Sequence, residues 1–112
     1  MAYPSLPTAI QSYRLPFRWE LVQYVTGERN YSLFVLIHRQ PYLSAKTLAI
    51  YEPTLPPYMV RVHKGYIINK RFVKQIDFDH KSLLMADGKT ITVARRRWNT
   101  VIAYLLQKND FN

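Results

Sequence analysis

Apolar residues recur along the chain in short bursts, and the period of each burst predicts an element. From Phe72 to Phe78 and from Ser82 to Ala86 apolar and polar positions alternate, as in a strand with one face in a core. Glu20 to Val25 and Tyr31 to His38 are rich in Leu, Val, Tyr and Phe. Thr26-Gly27-Glu28-Arg29-Asn30 lies between them with turn residues, so the pair predicts a β-hairpin. Tyr58 to Val62 and Tyr66 to Ile68 read as extended on either side of His63-Lys64-Gly65, where the glycine marks a bend or bulge. Asp87-Gly88 predicts a two-residue turn from Ser82–Ala86 into Lys89 to Ala94.

Two stretches depart from the strand pattern. Ser44 stands where it can cap a short helix over Ala45 to Glu52, with apolar positions Leu48, Ala49 and Tyr51 and an end at Pro53. Near the C-terminus Trp98, Val101, Ile102, Leu105 and Leu106 fall at i, i+3, i+4, i+7 and i+8, which predicts an amphipathic helix. Pro4, Pro7 and Pro16 leave residues 1–18 as an arm, with an edge strand around Ser12 to Phe17. The chain is therefore expected to be mostly β, with seven to ten short strands, one short helix and a C-terminal helix. The expected domain runs over residues 19–108, followed by a tail at 109–112.

Composition narrows the class. A chain of 112 residues that is 48% hydrophobic, with only three Gly and seven Pro, fits one globular domain. The absence of cysteine excludes a disulfide framework and a Cys-ligated zinc site. The longest apolar runs, Leu33 to Ile37 and Val101 to Leu106, fall far short of the roughly 18 residues of a membrane span, and the N-terminus has no signal-peptide core. A soluble, cytoplasmic protein that does not engage membranes is expected.

Charge alters the picture most. Sixteen Lys and Arg against seven Asp and Glu give +9, and the sequence pI is near 10.0. Residues 1–56 carry five basic and three acidic side chains, whereas 57–112 carry eleven and four, so the excess is +2 against +7. Such a domain seeks a polyanion.

Candidate chemistry points the same way. His38, His63 and His80 stand alone, without the spacing of a metal motif. Asp77 and Asp79 read as a solvated turn beside Lys81, and no phosphate loop or nucleophile elbow is present. Neither an enzyme, a metal nor a cofactor is expected. The basic residues cluster at turns: Arg29, the acid-free run from Arg61 to Lys74 with Tyr66 and Asn69 interleaved as phosphate donors, and Arg95-Arg96-Arg97. The triplet occupies the first turn of the terminal helix, where the dipole disfavours cations, and Ala94 at the cap position cannot accept an amide bond. A bound phosphate would relieve both defects.

Arg61-Val-His-Lys-Gly-Tyr-Ile-Ile-Asn69, followed by Val73 to Ile76, Asp87-Gly88 and Val93-Ala-Arg-Arg-Arg97, resembles the LytTR DNA-binding domain. Glu20 to Tyr24, Gly27 to Tyr31 and Thr47-Leu48 extend the likeness over about residues 19–106. The resemblance implies stacked antiparallel β-sheets that bind double-stranded DNA through loops laid into successive major grooves, without a recognition helix. Carried over by residue, its first contact loop falls on Arg29, Asn30 and Tyr31, its second on His63, Lys64 and Gly65, and its third on Arg95, Arg96 and Arg97. Tyr31, Lys64 and Arg96 take base-reading positions, and Lys70 and Arg71 count as further DNA contacts. Ala94 departs from the Ser often found before the family's basic pair.

The family commonly follows a receiver domain, for which this chain has no room. A free-standing regulator, a fragment, or the partner of a separate signalling protein is expected, with a second copy on repeated half-sites. Two other readings stay open. One is an RNA or single-strand binder that stacks bases on Tyr31, Tyr58 and Tyr66; the other is a non-enzymatic adaptor whose basic face meets an acidic protein.

Overall fold

A computed structural model describes residues 15–107 of the chain. Eight strands, β1 Val22–Glu28, β2 Tyr31–Leu36, β3 Tyr42–Ser44, β4 Met59–His63, β5 Tyr66–Asn69, β6 Val73–Asp77, β7 Ser82–Met85 and β8 Thr90–Thr92, form two antiparallel sheets. The larger sheet has the order β3-β2-β1-β5-β4 and the smaller β6-β7-β8. Two short helices, α1 Leu48–Tyr51 and α2 Trp98–Leu105, complete the fold. The mostly β architecture is as the sequence predicts. Of the expected edge strand, Ser12 to Arg14 lie outside the described residues and Leu15 to Phe17 are irregular.

The five-stranded sheet is the middle layer and is covered on both faces. On one face Val22, Val25, Phe34, Met59 and Ile67 meet Leu48 and Tyr51 of α1, with Leu15, Phe17 and Trp19 packed on them. On the other, Tyr24, Val62 and Ile68 meet Leu83, Met85 and Ile91 of the smaller sheet and Val101 of α2. Val22 and Val25 are three apart, which in a regular strand puts them on opposite faces. A bulge between Val22 and Tyr24 returns both to the same core. Tyr24 spans the layers, its hydroxyl donating to Asp87 Oδ2 at 2.7 Å. Burial, then that carboxylate, push its phenol well above the ordinary tyrosine range, so it remains a neutral donor.

Several local expectations are corrected. β1 continues through Gly27 and Glu28, and the first turn is only Arg29-Asn30. Gly27 serves close approach instead of the turn, since a Cβ on it would lie 2.8 Å from Leu48 Cγ. Gly27→Ala should therefore destabilise the domain by about 1 kcal/mol, the overpacking cost of about 1–2 kcal/mol exceeding the propensity gained, as read from urea unfolding. Ser44 ends β3 and does not cap α1. Its hydroxyl shares a 2.5 Å bond with Tyr51 and accepts the Lys46 N–H, while Thr47 takes the cap position. Pro53 lies within a 3-10 turn, Glu52–Thr54, that prolongs the helix. The β7–β8 connection is Ala86-Asp87-Gly88, closed by Met85 N–H to Lys89 C=O at 2.8 Å. The left-handed residue is Gly88 (φ 94°), the form of a three-residue hairpin loop.

Arg95–Arg97 form a 3-10 turn before α2, which becomes α-helical only at Trp98. The apolar period that can bury a face starts there, and an uncapped run of three cations gives no independent reason for a wider α-turn. Leu106 falls beyond the helix and is largely exposed.

Candidate nucleic-acid interface

β1 runs antiparallel to both β2 and β5, so the β1–β2 turn and the β4–β5 turn leave the larger sheet at the same end. Gly27 N–H donates to Gly65 C=O at 2.8 Å and ties the two together. At the outer side of β4, Ala94 N–H donates to Val62 C=O at 2.8 Å. That bond sets Arg95, Arg96 and Arg97 beside the same end. The structure thus gathers three segments far apart in sequence: Arg29, Asn30 and Tyr31; His63, Lys64 and Gly65; and the arginine triplet.

Arg29, Asn30, Lys64, Arg95 and Arg96 are exposed, and Tyr31 is half exposed. Between the first two loops lies a cleft of about 290 Å³ whose wall includes Thr47, Leu48 and Ala49 at the start of α1. The loops differ in how they are held. Arg29 adopts a left-handed backbone (φ 56°), which lets the chain reverse in two residues. His63 Nδ1 accepts the Gly65 N–H at 3.0 Å, so this side chain shapes the second turn and Lys64 occupies its tip.

Arg61 braces that turn from below. Its Nε donates to His63 C=O at 3.1 Å, one terminal nitrogen donates to Lys64 C=O at 2.5 Å, and the other meets Glu52 Oε1 at 2.8 Å. In the sequence Arg61 reads as one more cation of a basic run. Its positioning role depends on Glu52, which no periodicity links to it. Asn69 likewise is no phosphate donor: fully buried, it donates to Val22 C=O and accepts the Arg71 N–H.

Lys70 and Arg71 are not brought to the loops. They follow β5 at its opposite end, about 14 Å away at about 3.4 Å per residue over four residues. There Lys70 Nζ donates to Gln107 C=O and lies over the Tyr104 ring, while Arg71 covers the Tyr58 ring. The three tyrosines of the base-stacking alternative are not gathered either. Tyr58 sits at the Arg71 end, and Tyr66 packs partly buried against the second core.

At the triplet, Ala94 is extended (φ −61°, ψ 140°) in the cap position with no side-chain bond to the turn. Ala94→Ser should add about 0.5–1 kcal/mol of stability by supplying the acceptor. Thermal unfolding checks this, and DNA affinity should change less. In the β6–β7 turn, His80 N–H and the His80 ring bind Asp77 and hold its carboxyl below the usual range, as befits a surface turn. Among the described residues no three His, Cys, Asp or Glu gather to hold a metal, and no helix is long and apolar enough to cross a membrane.

Two sheets stacked through a shared core, with cationic turns collected at one end, define a layered β domain with exposed cations on its loops. The profile of the LytTr DNA-binding domain matches residues 14–105, and the chain belongs to that family. Among solved structures it is similar to the LytTr DNA-binding domain of a Bacillus cereus protein described as a methyl-accepting/DNA response regulator. The two are 21% identical, with a TM-score of 0.69, and the match covers 84% of this chain and 88% of that one. A comparison with curated protein sequences gives no match.

Proposed function

We propose that this chain is a transcriptional regulator that reads double-stranded DNA by sequence, laying its three basic loops into successive major grooves. The observation that carries the reading is the convergence of these loops at one end of the five-stranded sheet through the Gly27–Gly65 and Ala94–Val62 bonds. In this reading Arg29, Lys64, Arg95 and Arg97 meet phosphates, and Arg96 and Lys64 also reach base edges from the two adjacent loops. Arg61 and His63 hold the second loop in shape. Two copies on repeated half-sites would be organised chiefly by the DNA, and the input would come from a separate signalling protein or domain.

Selection of bound duplexes from a random pool tests the reading, which predicts recovery of a repeated motif. Recovery of single strands in preference to duplexes would overturn it. Five cations sit at the loops, each displacing about 0.9 counterion per phosphate met, so log K against log salt should fall with a slope of about −3 to −4.5. A salt titration giving a slope near zero would exclude phosphate tracking. A slope steeper than about −6 would require Lys70 and Arg71 to join the contact.

A further inference from the structure

Arg61 lines the cleft between the first two loops together with Arg29 and Lys64, yet it differs from both in being tied down. Only 14% of its side chain is exposed, and each of its three nitrogens has a partner: the His63 carbonyl, the Lys64 carbonyl and Glu52 Oε1. The carboxylate comes from a fixed seat. Glu52 N–H donates to Leu48 C=O and Glu52 C=O accepts the Leu55 N–H at 3.3 Å, so the 3-10 turn Glu52–Thr54 continues α1 directly from buried Tyr51.

A guanidinium is planar and rigid, so holding one terminal nitrogen orients the other two. Those two fix the carbonyls of the peptide groups on either side of Lys64, the residue at the tip of the second loop. A guanidinium released into the cleft would instead meet any phosphate within reach, a contact that carries no sequence information.

We infer that Glu52 is a positioning residue for sequence discrimination: its carboxylate holds Arg61 as a strut under the second loop and keeps that cation off the DNA backbone. The inference rests on the reading of DNA by sequence proposed above, and it names an acid whose presence sharpens binding to a polyanion. Charge alone predicts the opposite. Removing one of the seven acids takes the net charge from +9 to +10, which by itself strengthens binding to every duplex by the same factor. The Glu52 side chain is 43% exposed, and an ion pair so placed adds little to stability, so substitution here leaves the fold intact.

The test titrates wild type, Glu52→Ala and Glu52→Gln with the duplex recovered by selection and with a scrambled one. Glu52→Ala should bind the scrambled duplex more tightly, with a salt slope steeper by up to about 0.9, because Arg61 gains a phosphate. The preferred duplex should not gain in step, since the Lys64 tip loses its seat, and the ratio of the two affinities should fall about tenfold. Glu52→Gln keeps an oxygen acceptor for Arg61 and should restore about half of that loss on a logarithmic scale. In the free protein the amide resonances of 63–65 should move in Glu52→Ala while the melting temperature changes little. An equal gain on both duplexes for Glu52→Ala, or unmoved 63–65 amides, would overturn the inference and leave Glu52 as a charge only. A wild type that binds both duplexes alike would overturn the sequence-reading function, and this inference with it.

Discussion

Arg96→Ala is expected to cost about 1–3 kcal/mol of binding on the preferred duplex and much less on a scrambled one, flattening discrimination at one base position. Arg96 is exposed in an uncapped 3-10 turn fixed beside β4 by the Ala94–Val62 bond, so its planar fork is presented from a rigid seat. A fork of five donors matches the two acceptors of guanine in the major groove, whereas the neighbouring guanidinium groups and the positive end of the turn suit phosphate. Lys70→Ala supplies the contrast. Its ammonium is engaged by the Gln107 carbonyl and the Tyr104 ring at the other end of the sheet, so both affinity and salt slope should change little. Paired titrations of wild type and both variants on preferred and scrambled duplexes decide the matter. Equal losses for Arg96→Ala on both duplexes would make the triplet an anion cradle and end its base-reading role.

Phe34→Ala should remove about 3–5 kcal/mol of stability, out of the roughly 5–15 kcal/mol that holds a small domain folded. Phe34 is fully buried at the centre of the first core. Its ring stands edge-on or tilted to Phe17 at 5.5 Å, Trp19 at 5.8 Å, Tyr42 at 6.0 Å and Tyr51 at 5.1 Å. Truncation opens a cavity and also strips geometry-dependent contacts worth about 0.5–1.5 kcal/mol each beyond area. Tyr51 is held by Ser44, so the damage spreads to β3 and to α1, the latter bordering the cleft between the first two loops. Phe34→Leu should recover more than half of the loss. Urea unfolding measures both, and a loss below about 1 kcal/mol for Phe34→Ala would mean that the aromatic cluster does not carry this core.

Elements whose period is local are legible in the amino-acid sequence. The β1–β2 hairpin, the extended runs of β4 and β5, the alternating β6 and β7, and the terminal helix follow from the spacing of their own apolar residues. His63-Lys64-Gly65, which reads as a bend or bulge, in fact turns β4 back into an antiparallel pair with β5. What stayed hidden depends on contacts across the sheet. Gly27 looks like a turn glycine until Leu48 is seen resting on it, and Ser44 looks like a cap until Tyr51 claims its hydroxyl. At the site, clustering at turns pointed to Arg29, Lys64 and the arginine triplet, but a one-dimensional run could not separate Lys64 from Lys70 and Arg71. A strand divides them, and Asn69, read as a surface donor, is the buried clasp at the dividing point. The Arg61 brace was invisible because its carboxylate partner belongs to another element.

The left-handed backbone at Arg29 has a cost of its own. A non-glycine residue held there gives up about 1–2 kcal/mol that glycine would not, at a position with no core contact to offset it. Thermodynamic selection acting on the fold alone would therefore drift toward glycine at the tip of the first hairpin and discard a cation. With Arg29 meeting phosphate as proposed, the loop end carries a conflict between durability and use, and libraries ranked by melting temperature are expected to enrich for domains that fold better and grip DNA less.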